Sequence, residues 1–324
     1  MTKGCALVGI PRSTFYRVSR GYAHYTPVTV PMAHRDRHQP AALSAAERQT
    51  LIDVLTSDEF QDLSVGQAYW RALDAGLIGC SQRSFYRVAA THRLVGDRRA
   101  TRVRTGGGTT SRRTPIVHAD KPGDLWSWDI TELRGPGDHR YKLYLAMDVF
   151  SRAPVGWRVE YTEDTAKVID MFAQAFQAHQ VPGCLHADNG SSMRAHALVD
   201  YLEQAGVVAS YSRPRVSDDN PFSESLFKTI KYDLAMPDRF DSINHARSWI
   251  QEFLHRYATE HRHSGIGHHT PGSVRDGTAH LVQQRRQRTL DHYWAQHPQR
   301  FTSRPSAPPL PQPTGINTKL SQAA

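Results

Sequence analysis

Cysteine is scarce in this chain of 324 residues, which contains only Cys5, Cys80 and Cys184. Three widely separated thiols cannot form a disulfide framework. Scattered thiols are typical of proteins that work in a reducing compartment. The first residues, Met1 to Ser13, also lack the apolar core of a signal peptide. We therefore expect a cytoplasmic protein.

Long hydrophobic runs are lacking as well. Hydrophobic residues make up 39% of the chain, and no apolar segment approaches the roughly 20 residues that a membrane-spanning helix needs. Charged residues make up 22%, which is typical of a globular, water-soluble chain. The composition therefore excludes a membrane-spanning protein and allows a sizeable buried core.

Acidic residues are few in the first part of the chain only. Residues 1–120 carry 17 basic and 9 acidic residues, whereas residues 121–324 carry 23 and 22. Arginine dominates the excess, and Arg112 and Arg113 close a short basic segment. Guanidinium groups bind phosphates bidentately and release condensed counterions. Nucleic acid is therefore the predicted partner, and a solvated basic linker is the alternative for this segment alone.

An element is repeated in the basic part. Leu7-Val8-Gly9 precedes an aromatic and basic segment, and Leu77-Ile78-Gly79 precedes a similar one seventy positions later. An apolar pair, a turn glycine and a Ser/Thr-rich helix start are typical of a helix-turn-helix. The predicted DNA-reading residues are Arg12, Ser13, Arg17, Arg83, Ser84 and Arg87. The alternative is that at least one aromatic residue of each pair, Phe15-Tyr16 and Phe85-Tyr86, belongs to a small helical core.

Composition suggests several boundaries, because a chain of this length exceeds most single domains. We predict a helix-turn-helix segment over residues 1–35, a helical DNA-binding region over 36–100 and a basic Gly/Arg linker over 101–120. A catalytic core with C-terminal helices is predicted over 121–290. The proline-rich residues 291–324 are expected to form an extended, poorly ordered tail.

The pattern changes from helical to mixed after the linker. Strands are predicted over 126–131, 141–150 and 155–161, followed by a helix over 164–180. A strand over 184–187, a helix over 193–204, a strand over 207–211 and a further helix complete the order β-β-β-α-β-α-β-α. We therefore predict an α/β fold with a mixed five-stranded sheet and flanking helices, preceded by small all-α regions.

Three acidic residues stand where chemistry gathers in such a sheet. Asp129 is the only acidic residue at the centre of a Trp-rich strand, where an isolated carboxylate is costly unless it is paired or bound to a cation. Asp188 ends a strand before Gly190, and Glu224 lies in the first turn of the helix that begins near Pro221. Carboxylate oxygens are hard ligands, and such a cluster is typical of sites with two Mg²⁺ ions about 3.5–4 Å apart that cleave phosphodiesters.

Neighbouring residues on the last helix extend this hypothesis. Lys228 and Lys231 share the helical face of Glu224, and Asn220 lies four positions before it. All three are predicted to contact DNA near the metal ions. Asp148 also ends a strand, but we interpret it as structural. For any single acid, a capping or paired carboxylate is the alternative.

These residues resemble the DDE triad of the retroviral-integrase superfamily, Asp129, Asp188 and Glu224, followed by Lys231. The surrounding strings resemble the OrfB-type transposases of bacterial insertion sequences over residues 40–300. The strings are Trp126-Ser-Trp-Asp-Ile-Thr131, His186-Ala-Asp-Asn-Gly190, Ser212-Arg-Pro-Arg-Val-Ser-Asp-Asp-Asn-Pro221, Phe227-Lys-Thr-Ile-Lys-Tyr232 and His261-Arg-His-Ser-Gly-Ile-Gly267.

The resemblance implies an RNase H-like core that binds the terminal inverted repeats of an element, nicks a 3′ end and joins it to target DNA with Mg²⁺ or Mn²⁺. It also implies a homo-oligomer on DNA, association with the bacterial nucleoid, and an OrfA partner or fusion, although no zipper is visible here. The segment Arg256-Tyr-Ala-Thr-Glu260 departs from the usual aromatic-Tyr-Asn string, and the absence of paired cysteines argues against the retroviral branch with its zinc module.

The histidines at 255, 261, 263, 268 and 269 lack Cys partners and regular helical spacing, so we disfavour a zinc site. Packing or phosphate contact is expected for His261, Arg262 and His263. His186 is interpreted as a satisfied strand-end histidine, with support of the metal site as the alternative. Two other functions stay open: a DNA-binding regulator without catalysis, and an RNase H-type nuclease that hydrolyses without joining. The helix-turn-helix pair weighs against the nuclease.

Overall fold

The computed structural model describes residues 2–19, 39, 41–95, 116–190, 192–213 and 219–317. The chain divides into two compact units, residues 1–42 and residues 43–324. Arg112 and Arg113 lie outside the described residues, together with most of the predicted linker. Among the described residues, no helix combines the length and apolar character needed to cross a membrane.

The described residues of the smaller unit form two short helices, α1 (Thr2–Leu7) and α2 (Arg12–Ser19). Gly9 between them has a φ of 65°, the left-handed conformation that suits glycine in a tight turn. Phe15 and Tyr16 are 40% and 36% exposed, so neither is a core residue in the described part of this unit. The expectation of a core aromatic in this first pair is wrong, because two short helices offer little surface to cover a ring.

The larger unit begins with three helices that follow the predicted order, α3 (Ala45–Thr56), α4 (Val65–Asp74) and α5 (Gln82–Thr91). Each begins after a serine, Ser44, Ser64 or Ser81, whose side chain accepts a hydrogen bond from a backbone N–H of the first turn. Phe85 is fully buried among the three helices, whereas Tyr86 is 40% exposed. The second aromatic pair is therefore divided between core and surface, as expected.

The centre of the larger unit is a mixed sheet of five strands, β2 (Leu125–Arg134), β3 (Arg140–Asp148), β4 (Pro154–Glu160), β5 (Cys184–Ala187) and β6 (Val208–Tyr211). Their order in the sheet is β4-β3-β2-β5-β6. Strand β3 runs antiparallel to both β2 and β4, whereas β5 runs parallel to both β2 and β6. This order and helices on both faces confirm the predicted RNase H-like fold.

Two helices cover each face of the sheet. The helices are α6 (Thr165–Ala178) and α7 (His196–Gln204) on one face, and α8 (Pro221–Lys231) and α9 (Ile243–Thr259) on the other. Because side chains alternate along a strand, Trp126 and Trp128 pack toward α6 and α7. Ser127 points to the opposite face, where it contacts α8. Asp129 shares the alternation of Ser127, which brings it to the α8 side.

The end of the chain is more ordered than the sequence predicts. After α10 (Pro271–Arg275) and α11 (Ala279–Gln296), the proline-rich segment runs along α11, where Gln287 bonds to the main chain of Pro305 and Ala307. Strand β7 (Thr314–Ile316) then pairs with β1 (Val117–Ala119). The prediction of a poorly ordered tail is wrong up to residue 317, because this extended segment finds both a helix and a strand to bond.

A buried ion cluster joins the three-helix region to the C-terminal helices. Asp74 at the end of α4 is 8% exposed and accepts hydrogen bonds from Arg286 and, at 2.7 Å, from Arg262 Nε. The Gln67 side chain bonds both the N–H and the carbonyl of Arg262. A Cβ at position 79 would collide with the Tyr293 ring, so Gly79 is required for close approach to α11.

Candidate active site

The centre of the candidate site is Asp129 on β2. Its Oδ1 accepts a hydrogen bond of 2.7 Å from the backbone N–H of Ile130. Further along the same face of β2, the Thr131 hydroxyl accepts a hydrogen bond of 2.6 Å from Lys231 Nζ at the end of α8. The carboxylate of Asp129 on β2 and the ammonium group of Lys231 on α8 therefore lie on the same face of this strand.

Asp188 follows β5, the strand that runs parallel to β2 beside it. Its Oδ1 accepts a hydrogen bond of 2.8 Å from the Ser212 hydroxyl, which follows β6. Ser212 in turn lies 3.2 Å from Nε2 of His186, and Nδ1 of the same ring lies 2.9 Å from Ser210 Oγ. Burial lowers the pKa of His186, so the ring stays neutral. The carboxylate stands directly after strand β5, as the sequence predicts.

Glu224 lies in the first turn of α8, and the start of this helix is bonded to β2. The Ser127 hydroxyl donates to Asn220 Oδ1 at 2.5 Å and lies 2.7 Å from Ser223 Oγ. Asn220 Nδ2 donates to the Trp128 carbonyl at 3.2 Å. All of these polar groups are buried. The buried network therefore fixes the helix of Glu224 against the strand of Asp129.

Asn220 consequently corrects one prediction. It has no exposed surface, makes no side-chain cap and directs both ends of its amide toward β2. It is not available for the predicted DNA contact. The small side chain of Ser127 leaves space for this amide to pack against the sheet.

The three predicted acids interact electrostatically. Burial and the negative charges of Asp188 and Glu224 raise the pKa of Asp129 to about 7, against the lowering effects of the Ile130 N–H and Lys231. A pKa raised this far is typical of a carboxyl group that lies among like charges with restricted access to water. Such like-charged clusters are typical of functional sites.

The donor set suits a divalent cation, because three carboxylates supply the hard oxygen ligands that Mg²⁺ prefers. In the described residues, no three His, Cys, Asp or Glu side chains converge closely enough to form a ready-made metal site. The three carboxylates therefore have ligand chemistry that suits a divalent cation, and such an ion would relieve their mutual repulsion.

The predicted DNA-contact residues fall into separate places. Lys228 is exposed on α8, whereas Lys231 is bonded to Thr131 beside Asp129. Arg83 and Arg87 are exposed on α5, and Arg87 donates to Ser84 Oγ at 3.1 Å. In the smaller unit Arg12 and Ser13 are exposed, and the side chain of Arg17 lies outside the described residues. DNA contact by these residues stays a prediction.

Two structural interpretations are confirmed. Asp148 accepts hydrogen bonds of 2.7, 2.7 and 2.6 Å from Gly123 N–H, Ser151 N–H and the Ser151 hydroxyl, which satisfies its buried carboxylate. Arg262 bonds Asp74, and His263 pairs with His269 in an isolated β-bridge. Of the two roles expected for the segment around Arg262, the structure therefore supports packing.

Sequence reasoning missed two residues of the site, Ser212 and Ser127. Ser212 orients a carboxylate of the triad, and Ser127 holds the helix of Glu224, yet serines are too common to attract notice. The signal for Ser212 was its place directly after a predicted strand parallel to the one that ends at Asp188. Ser127 alternates with the two tryptophans of β2, which places it on the opposite face of the strand.

Comparisons with known proteins agree with this geometry. Residues 119–217 and residues 205–271 match families described as Integrase core domain. The transposase for insertion sequence element IS629 of Shigella sonnei is 30% identical over 216 residues, covering 63% of this chain and 72% of that protein. The transposase for IS904 of Lactococcus lactis is 33% identical over 161 residues, covering 48% of this chain and 62% of that protein.

Among solved structures, the HTLV-2 integrase catalytic core domain in complex with magnesium is similar with a TM-score of 0.37 and 18% identity. It covers 48% of this chain and 97% of the integrase core. The chain thus spans less than two thirds of the IS904 transposase but more than two thirds of the IS629 transposase. By its integrase core domain and its likeness to the IS629 protein, this chain belongs to the insertion-sequence transposases.

Proposed function

We propose that the protein is a DNA transposase that binds the terminal inverted repeats of its element, nicks them and transfers the resulting strand to target DNA. The observation that carries this proposal is the placement of Asp129 on β2, Asp188 directly after the neighbouring strand β5, and Glu224 in the first turn of α8, which is bonded to β2. The negative charges of Asp188 and Glu224 act on Asp129 and raise its pKa. Carboxylates grouped in this way commonly hold divalent ions at a phosphodiester.

In this proposal Asp129, Asp188 and Glu224 are the catalytic residues and hold two Mg²⁺ ions, for which Mn²⁺ can substitute. When bound, the ions supply activation of the attacking oxygen and stabilisation of the leaving oxygen. Lys231 anchors the strand side of the site through Thr131 and offers positive charge to a DNA phosphate. Exposed Lys228, one turn before Lys231, extends the same basic edge.

Binding of the element ends is assigned to the helical regions. Arg83 and Arg87 project from α5, the helix that follows the turn and occupies the place of a recognition helix. Arg12 and Arg17 on α2 and the basic pair Arg112 and Arg113 add further positive charge. We also propose assembly of several copies on DNA, at the nucleoid, since two element ends must be joined in one reaction. An OrfA partner stays a prediction of the resemblance.

The test uses the purified full chain, Mg²⁺ and DNA that carries the inverted repeats flanking its gene. Wild type is expected to nick the repeat ends and join them to a second duplex. The variants Asp129→Asn, Asp188→Asn and Glu224→Gln are each expected to lose at least about 10³-fold of the nicking rate while retaining the mobility shift of the DNA. Glu252→Gln removes an exposed carboxylate on α9 and serves as the matched control.

Each other outcome has a defined meaning. Nicking at the wild-type rate in the three variants would overturn the assignment of the site. A mobility shift without nicking in Mg²⁺ or Mn²⁺ would favour the DNA-binding regulator. Hydrolysis without joining, under conditions in which a pre-nicked end is supplied, would favour the nuclease.

A further inference from the structure

A chain of hydrogen bonds leads from Ser210 on β6 to Asp188. Ser210 Oγ lies 2.9 Å from His186 Nδ1, His186 Nε2 lies 3.2 Å from Ser212 Oγ, and Ser212 Oγ donates to Asp188 Oδ1 at 2.8 Å. His186 has no exposed surface and Ser212 is 5% exposed. The two central members are therefore buried, whereas Ser210 and Asp188 at the ends are partly exposed.

The chemistry of the groups gives this chain one direction. An ionised Asp188 can only accept a hydrogen bond, so the Ser212 hydroxyl must donate its single proton to it. Ser212 Oγ must then accept from His186 Nε2–H, which fixes the tautomer and leaves Nδ1 as an acceptor for the Ser210 hydroxyl. Every donor points toward the carboxylate. Polarised chains of this kind strengthen each bond in turn.

The backbone holds the members of the chain in place. His186 and Ser210 are register partners in the parallel pairing of β5 with β6. The N–H of Ser212 donates to the carbonyl of Ala187 at 2.9 Å, which ties the first residue after β6 to the last residue of β5. The hydroxyl that reaches Asp188 thus comes from a rigid part of the sheet.

Both strand carboxylates are held through one oxygen. Asp129 Oδ1 accepts from the Ile130 N–H, and Asp188 Oδ1 accepts from Ser212. Within the described part of the chain, neither Oδ2 has a hydrogen-bond partner. One oxygen of each carboxylate is therefore oriented by the protein, and the other is left for a ligand.

We propose that Ser210, His186 and Ser212 form a positioning relay that orients Asp188 for divalent-cation binding. The relay deepens the proposed function and rests on it. Its members are positioning residues, because they act on the carboxylate and touch neither metal nor DNA. Outer-shell partners of metal ligands typically account for 10–100-fold in metal affinity, so the relay has a measurable role.

The experiment measures Mn²⁺ binding to the full chain by isothermal titration calorimetry, without DNA. Ser212→Ala is expected to weaken Mn²⁺ binding by about 10-fold or more, whereas Ser212→Thr, which keeps the hydroxyl, is expected to stay within about 3-fold of wild type. Ser210→Ala, at the far end of the relay, is expected to give a smaller loss. His186→Phe interrupts the relay while keeping a ring in the core.

Ser192→Ala is the matched control. Ser192 also follows β5, but its hydroxyl donates to Glu163 at 2.8 Å and takes no part in the relay. Its Mn²⁺ affinity is expected to equal that of wild type. Thermal unfolding of every variant is recorded beside the titration, and Ser210→Ala keeps the test open should His186→Phe fail to fold.

A purely structural role predicts a different result. If Ser212→Ala lowers the unfolding temperature but binds Mn²⁺ as wild type does, the relay is rejected. Equal losses in Ser212→Ala and Ser212→Thr would also reject it, because the hydroxyl would then not be the cause. Failure of wild type to nick DNA would overturn the proposed function alone, since cation binding is read without DNA.

Discussion

Two carboxylates with restricted access to water, buried Asp74 and partly buried Asp129, lie in opposite electrostatic surroundings. Asp74 is bonded to two guanidinium groups, those of Arg262 and Arg286. Burial and the negative charges of Asp188 and Glu224 raise the pKa of Asp129 to about 7. The first carboxylate is neutralised by the protein itself, whereas the second is left among like charges.

The contrast separates a structural acid from a functional one. A buried charge with good partners joins elements of the fold, and its removal leaves those partners unpaired. A buried charge among like charges weakens the fold and is kept where a ligand will supply the opposite charge. The two sites differ in the charges around each carboxylate, and this difference can be tested by removing each carboxylate charge.

The largest effect is expected at the neutralised site. Asp74→Ala leaves Arg286, which has no exposed surface, and the adjacent Arg262 without their carboxylate. We expect the free energy of unfolding to fall by about 3–5 kcal/mol at pH 7. Urea denaturation followed by circular dichroism measures the change.

Glu260→Ala is the control for this prediction. Glu260 pairs with Arg71 at the same junction, but its side chain is 49% exposed. Its removal is expected to cost less than about 1 kcal/mol. An equal loss of unfolding free energy in both variants would mean that burial of the Asp74 cluster does not contribute to stability. The contrast drawn between Asp74 and Asp129 would then be rejected.

A smaller effect of opposite sign is expected at the like-charged site. The pKa of Asp129 is raised above its unfolded value of 3.8 to about 7, so its ionised form opposes folding. This destabilisation is small near pH 4, grows as the pH rises toward 7 and is constant above it. Without divalent ions, Asp129→Asn is therefore expected to raise the free energy of unfolding by about 1–2 kcal/mol at pH 8 and by little at pH 4.

The addition of Mg²⁺ provides a second test of the like-charge explanation for Asp129. The cation stabilises wild type by binding the folded state. Adding Mg²⁺ at pH 8 is therefore expected to reduce the difference in unfolding free energy between wild type and Asp129→Asn. Paired thermal melts at pH 4 and pH 8, with and without Mg²⁺, measure it. A variant that is less stable than wild type at pH 8 without the ion would contradict the like-charge account.

The smallest effect is expected at Glu47, a carboxylate of intermediate exposure. Hydrogen bonds from Arg300 and Ser44 lower the pKa of Glu47 from 4.5 to about 2. The stabilisation is complete above pH 4.5 and is lost as the pH falls toward 2. Glu47→Gln is expected to lose about 1 kcal/mol at pH 6 and less at pH 3, as measured by thermal unfolding.

Asp53→Asn on the same helix is the control for Glu47. Asp53 accepts a hydrogen bond only from exposed Gln49 among the described residues. Its replacement is expected to change stability little at either pH. A loss at Glu47 that does not shrink at pH 3 would show that the ion pair is not its source.

Much of the fold follows from local sequence. The alternation of apolar residues and the turn glycines predicted strand β5 at its observed bounds, Cys184–Ala187, and helix α6 within a few residues. A Ser/Thr-rich stretch predicted the start of α5. Asp188 was predicted at the end of β5 because Gly190 allows the chain to turn away directly after it.

Other features depend on partners far along the chain. Arg262 looks like a phosphate ligand until Asp74 is placed beside it by the packing of α4. Asn220 looks like a DNA contact because its sequence context does not show that it bonds to Ser127 on β2. The proline-rich segment is extended whether or not β1 is near, so its sequence does not reveal this pairing. In each case the local sequence pattern does not identify the distant residue or strand that makes the contact.

The pairing of β7 with β1 has a consequence for folding during synthesis of the chain. Val117 pairs with Ile316, so the ribosome adds nearly two hundred residues after β1 before the partner strand β7 is available. Ile316 also completes a small core with Leu125 and Val149. Contacts so distant in sequence form slowly. The nascent sheet is thus closed by the last part of the chain to be translated among the residues that the structure describes.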